Sequence, residues 1–390
     1  MAASTSFPQA FAASGVESRT ESIPWYIWLA AVGVASSMIG VQWDISWHES
    51  IGRDTFWTPA HMAIQLCGVI AGITCGYLIL ATTFTKSALR AVSVNVLGFR
   101  APLGAFICAW GGFTMITSAP FDDWWHNAYG LDVKILSPPH MVLAAGIAGV
   151  QIGALVLIGA LMNRSSGIAR KHLEWMFLYV TGMIVVMLLT VELELTSRVM
   201  QHTAMPYRAV GMVIPLVLAL GSRATGNRWA ATISAGIYTA FLMALEWILP
   251  LFPAQPKLGP VFFNVTQFIP TGFPLLILAP AIALDLLWPR IAQWGLVARA
   301  AVSGLTFTAV FLAVQWPFAS FLNSPLARNS IFGSQYVPYF ESPKSFMVLN
   351  RFVPQSGGVF MKGLAIAVLF SMASSLVGMA AGDWLKRVRR

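Results

Sequence analysis

The chain has 390 residues, of which 57% are hydrophobic and only 10% charged, with a mean hydropathy of +0.70 and a formal net charge of +9. A soluble domain carries about 25% charged residues, so this composition excludes an ordinary soluble protein and implies one that crosses a membrane many times. The positive balance does not call for nucleic acid, because no basic groove interleaved with aromatic residues occurs.

In chain order, residues 1–23 read as a polar, disordered tail. The first apolar stretch starts at Pro24 with no basic run directly ahead of it. It is therefore expected to persist as a span and not to be removed as a signal peptide. Apolar runs of span length predict an all-α polytopic fold with ten helices. They fall near 24–42, 60–83, 102–118, 139–162, 173–196, 207–222, 228–249, 268–288, 297–318 and 360–382. Basic residues set the orientation. Lys86, Arg90 and Arg100, then Arg164, Arg170 and Lys171, then Arg223 and Arg228, then Arg290 and Arg299, all fall in even-numbered connections. The run Lys386, Arg387, Arg389, Arg390 follows the last span, and Arg19 precedes the first. Both termini are thus expected in the cytoplasm, with the chain in the cell's inner membrane. Cys67, Cys75 and Cys108 fall inside predicted spans without CxxC spacing and read as small buried hydrophobes.

Four of the six histidines sit in two matching segments, "WDISWHESIGRDTFWTPAHM" (43–62) and "FDDWWHNAYGLDVKILSPPHM" (121–141). In each, an Asp stands four residues before the His of a Trp-His pair: Asp44 with His48, and Asp122 with His126. A Gly follows the His by four and an Asp by six, and each segment closes on a hydroxyl residue, a Pro and a His-Met pair. Residues four apart share a helix face, so each Asp-His pair can converge on one ion. Thr58-Pro59 and Ser137-Pro138 have the form of an N-cap and first helical residue. That places His61 and His140 in the first turn of the next span. Each segment thus offers one carboxylate and two imidazoles, a donor set suited to copper, iron, zinc or nickel rather than magnesium or calcium. A single such segment reads as readily as a capped helix end or an aromatic belt; the repetition favours metal ligation. Both segments lie in odd connections, hence on the non-cytoplasmic side, and ionisable groups at the bilayer boundary are functional suspects.

At these residues the chain resembles the C subunit of the particulate methane and ammonia monooxygenases, copper-containing membrane oxygenases. The stretch "DISWHESIGRDTFWTPAH" is similar to that subunit's first metal motif, and the resemblance covers roughly residues 24–165. It implies copper ligands at Asp44, His48 and His61. The second segment is similar to the family's other site, implying ligands at Asp122, His126 and His140. The family has Asn where Asp122 stands here, a change that adds negative charge. By this resemblance the chain would work with other oxygenase subunits, a reductant, dioxygen and a small apolar substrate or ammonia. Residues 24–170 would then form the motif-bearing transmembrane region, and 171–390 a further transmembrane region without an assigned role.

Between the ligands, Asp54 and Asp132 are candidates to orient metal-bound imidazoles, with an Arg53 salt bridge or loop-closing contact as the alternative. Glu192, Glu194, His202 and Glu246 form a possible third polar cluster near the outer ends of the fifth and seventh spans. Asp285 is expected to pair with Arg290. The long connection 319–359 is a candidate lid, and Trp43, Trp47, Trp57, Trp124 and Trp125 are placed to keep water from the metal sites. The competing function is transport or metal handling, with the trios as capture sites. No His or acidic residue is predicted at the centre of a span, which counts against a transport path. A zinc hydrolase would need a general base such as Asp54.

Overall fold

A computed structural model describes residues 22–52, 57–130, 137–197, 200–257, 264–333 and 354–390. Arg53, Asp54 and Asp132 lie outside the described residues, as do residues 1–21 of the tail and 334–353 of the long connection.

The fold is an all-α bundle, and among the described residues nine helices are long and apolar enough to cross a membrane. The first four are α1 (Trp25–Ser50), α2 (Pro59–Phe84), α3 (Leu103–Tyr129) and α4 (Pro138–Met162). Then come α5 (Gly167–Val191), the single turn α6 (Leu193–Thr196), α7 (Met205–Thr225) and α8 (Ala230–Ile248). The last are the short α9 (Leu278–Leu287), α10 (Leu296–Leu322) and α11 (Gly357–Leu385). A hairpin of β1 (Val94–Val96) and β2 (Phe99–Ala101) occupies the connection between α2 and α3. Helix α1 runs about two turns and α3 about three turns beyond the apolar stretches that predict them, so Asp44, His48, Asp122 and His126 ride on helix.

Small residues bring the helices close. A Cβ on Gly153 of α4 would stand 2.5 Å from the backbone N of Cys108 in α3, and one on Gly378 of α11 would run into the carbonyl oxygen of Leu216 in α7. In lipid, association rests on such packing rather than on expelling water. The three cysteines lie buried and unbridged in the first bundle, in line with the sequence reading.

At one end of the molecule the basic connections meet. Arg223 donates two 2.8 Å bonds to the Asp383 carboxylate, and Asn163 Nδ2 donates to the carbonyls of Leu385 and Val388. Asp285 also lies here, but it does not pair with Arg290. Its oxygens accept from the backbone N–H groups of Ala231 (3.3 Å) and Thr232 (2.7 Å), while Arg290 donates to the Leu286 carbonyl. A carboxylate at a helix N-terminus satisfies donors that have no intrahelical partner, and α8 begins at Ala230.

The eighth predicted span, 268–288, is helical only in its second half, α9. Pro270 and Pro274 carry no N–H and force their predecessors out of the helical region, so 268–277 runs without helix. Yet Phe268, Ile269 and Leu275 are buried. Bare backbone at such depth costs several kcal/mol per unsatisfied group, and side chains supply the partners. Ile269 N–H donates to Ser50 Oγ (2.7 Å), Gly272 N–H to Glu246 Oε2 (3.2 Å), Leu275 N–H to the Tyr238 hydroxyl (3.0 Å) and Leu276 N–H to Gln315 Oε1 (2.9 Å).

Candidate metal centre

The first trio is assembled by two helix ends. Near the end of α1, Asp44 and His48 stand one turn apart on one face. After the loop, Thr58 caps α2 by accepting from the N–H of His61 at 3.1 Å, with Pro59 as the first helical residue. The cap fixes His61 in the first turn, aimed back at α1. Gly52, at φ +95°, takes the left-handed turn out of α1, a conformation that costs a residue with a Cβ.

The donors converge. His48 Nε2 lies 3.5 Å from Asp44 Oδ2, and His61 Nε2 lies 3.1 Å from Asp44 Oδ1. One ligand atom from each of the three residues falls within 4.8 Å of the others. Around a tetrahedral ion with bonds of about 2.0–2.2 Å, donor atoms stand roughly 3.3 Å apart. Donors within 4.8 Å of one another need to close by at most about 1.5 Å to share such an ion. Asp44 Oδ1 is buried beside the His61 ring. Asp44 thus faces both imidazoles, one at each carboxylate oxygen, an arrangement that a shared ion can occupy. Three protein donors leave positions for a further ligand.

The far side of this helix end is held. Ser46 and Ser50, also one turn apart, face away from the trio. Ser46 Oγ donates to the Ile269 carbonyl at 2.5 Å, and Ser50 Oγ accepts from the Ile269 N–H. The N–H of Lys257 donates to the Ile51 carbonyl at 2.9 Å, and Trp47 packs against Phe268 with ring centroids 5.8 Å apart. Lower on α1, Gln42 Nε2 donates to Thr190 Oγ1 of α5 at 2.6 Å. Sequence reasoning missed Ser46 and Ser50, although their spacing in "WDISWHES" repeats that of Asp44 and His48.

In the second trio, His126 Nε2 lies 3.4 Å and His140 Nε2 3.8 Å from the same oxygen, Asp122 Oδ1. Gly130, at φ +83°, ends α3 as Gly52 ends α1. The three donors do not all come within 4.8 Å of one another; among the described residues only the first trio meets that condition. Both imidazoles approach one carboxylate oxygen from separate directions, leaving a wider site. Nor does this helix end have a matching buttress among the described residues. Trp124 and Ala128 occupy the positions corresponding to Ser46 and Ser50, and both are exposed.

The aromatic shield is partial. Trp43 and Trp47 pack with Ile51, Leu249 and Phe268 beside the first trio, whereas Trp57 is 74% and Trp124 53% exposed.

The four residues of the possible third cluster do not gather into a metal-holding group among the described residues. His202 Nε2 meets Ser320 Oγ at 2.9 Å, with its ring edge-on to Trp316, and burial lowers its pKa. Glu246 holds the interrupted span at Gly272, and Glu194 is exposed. Glu192 closes α5 with a buried Oε2 that accepts no hydrogen bond, and burial pushes its carboxyl up to about 8. The described start of the long connection, through Gly333, covers Glu246 and the Phe273 ring rather than either trio.

No protein-family model, curated protein or solved structure matches the chain.

Proposed function

We propose that the chain is a copper-binding subunit of a membrane oxygenase, holding its principal metal at Asp44, His48 and His61. A single observation carries this reading: one carboxylate and two imidazoles from two helix ends bring their donor atoms within 4.8 Å of one another. Imidazole with carboxylate favours copper, with iron and zinc as competitors, over magnesium or calcium. The reaction class rests on the resemblance of 43–62 and 121–141 to the C subunit of methane and ammonia monooxygenases. Bound copper would supply the dioxygen and one-electron chemistry, for which partner subunits and a reductant are required. The chain's own residues have simpler tasks. Asp44 offsets the cation's charge, His48 and His61 present Nε2 as neutral donors, and Trp47 on Phe268 closes one flank of the site to water. Basic residues gathered at the opposite end of the bundle support a non-cytoplasmic location for both trios in the inner membrane.

Elemental analysis of the purified protein, followed by electron paramagnetic resonance of the oxidised form, tests the assignment. About one tightly held copper per chain, with nitrogen hyperfine structure lost in His48→Ala, is expected. A preparation that takes up no transition metal after copper loading, or unchanged stoichiometry in His48→Ala and His61→Ala, rejects it.

A second reading, transport of copper or another cation, is favoured by the interrupted span 268–287. Broken helices with side-chain-satisfied backbone near the bilayer interior recur at transporter binding sites. Copper uptake into proteoliposomes without substrate oxidation would decide for it.

A further inference from the structure

The basic end of the bundle contains a cavity of about 230 Å³ that the metal chemistry does not use. It opens between the last turns of α7, α9 and α11, the 226–229 connection and the first turn of α10. Four cations line it, Arg223, Arg228, Arg299 and Lys386, together with Asp285 and Trp288.

The neighbouring acids are already engaged. Asp383 is held by both guanidinium bonds of Arg223, and Asp285 takes two backbone N–H groups at the start of α8. The Arg228 guanidinium lies 5.4 Å from the ring centre of Trp229 and is paired with no carboxylate among the described residues. Arg299 Nε is buried and donates no hydrogen bond. Arg228, Arg299 and Lys386 thus bring positive charge to a concave site whose carboxylates are spent elsewhere. Guanidinium forks match the oxygens of phosphate in planar, two-point fashion. The cavity is smaller than the roughly 300–1,000 Å³ that encloses a drug-sized ligand, which suits a headgroup whose remainder lies outside. Basic pockets between helices at a membrane boundary are suited to anionic headgroups.

We infer that this cavity binds a phosphate group, carried either by an anionic phospholipid of the adjoining leaflet or by a soluble phosphate. The site is independent of the metal trios, which lie at the other end of the bundle.

The full-length protein, delipidated and transferred into phosphatidylcholine nanodiscs, provides the test. Thermal unfolding is followed while either phosphatidylglycerol is added to the nanodiscs or inorganic phosphate to the buffer. Stabilisation by phosphatidylglycerol alone identifies a lipid headgroup; stabilisation by inorganic phosphate identifies a soluble ligand. In either case the Arg299→Gln/Lys386→Gln variant requires about tenfold more ligand for the same shift, whereas Arg90→Gln, which removes a cation elsewhere at this end, does not. Arg299→Gln alone serves if the double variant melts abnormally without ligand. Absence of a shift with both probes, or equal shifts in wild type and the cavity variants, overturns the inference. A loss in Arg90→Gln as large as in the cavity variants reduces the effect to general surface charge and overturns it equally.

Discussion

The two histidine-bearing helix ends are near-copies in sequence but differ in what stands behind them. At the end of α1, Ser46 and Ser50 grip Ile269 in the interrupted span, and Trp47 packs on Phe268. At the end of α3, the equivalent positions are the exposed Trp124 and Ala128. The buttressed end has its three donors drawn together, and the unbuttressed end has them spread around one oxygen of Asp122. Metal ligands work when their supports hold them near the required geometry, and outer partners commonly govern affinity by 10–100-fold. The lesson is that a duplicated motif does not make a duplicated geometry: among the described residues, the second half of the chain buttresses the first copy.

The comparison can be broken most directly by removing a ligand from each end. His48→Ala is expected to abolish the tightest copper-binding step, about one equivalent after dialysis, while His126→Ala leaves that equivalent in place and alters only a weaker step. Equal losses in the two variants, measured by elemental analysis, would erase the distinction between the sites. Next in size, Ser46→Ala/Ser50→Ala should weaken copper at the first site by about tenfold and leave the second untouched. It should also lower stability by roughly 1–3 kcal/mol, because the Ile269 backbone groups lose their partners. A titration showing unaltered affinity in this variant would mean that the buttress is only structural. Asp122→Asn removes the second trio's only charge and is expected to weaken that site several-fold, with no change at the first. A shift at the first site would show that the two are coupled.

The smallest expected effect concerns the far edge of the buttress. Glu192 lies two residues beyond Thr190, which accepts from Gln42 of α1. Burial raises its carboxyl from 4.5 to about 8. The folded chain therefore holds a proton there that the unfolded chain releases at lower pH. Its stabilising share is complete below pH 4.5 and declines as the pH rises through about 8. Melting curves should show wild type losing a few degrees between about pH 5 and pH 9 that Glu192→Gln does not lose. Parallel pH profiles for the two proteins would contradict the buried, protonated carboxyl.

Much of this architecture is legible in the residues themselves. Hydropathy alone marks the nine long helices, because in lipid a run of apolar side chains on a self-satisfied backbone has no alternative but to span. The i, i+4 pairs Asp44/His48 and Asp122/His126, the Thr58 cap and the positive-φ glycines are local matters, decided within one or two helical turns. Other features depended on partners distant in the chain. Asp285 reads as a mate for Arg290, yet it caps α8, because the free N–H groups of Ala231 and Thr232 lie where tertiary packing puts them. The apolar run at 268–288 looks like one more span, since hydropathy does not register that Pro270 and Pro274 deprive its first half of helical hydrogen bonds. The same periodicity that reveals Asp44 and His48 also pairs Ser46 with Ser50, but their contact lies more than two hundred residues away. The sequence alone therefore determined that two carboxylate–imidazole trios sit at helix ends on one side of the bundle. Only the tertiary structure decided which trio is held together, because that depends on long-range packing against a backbone that had to find its hydrogen bonds elsewhere.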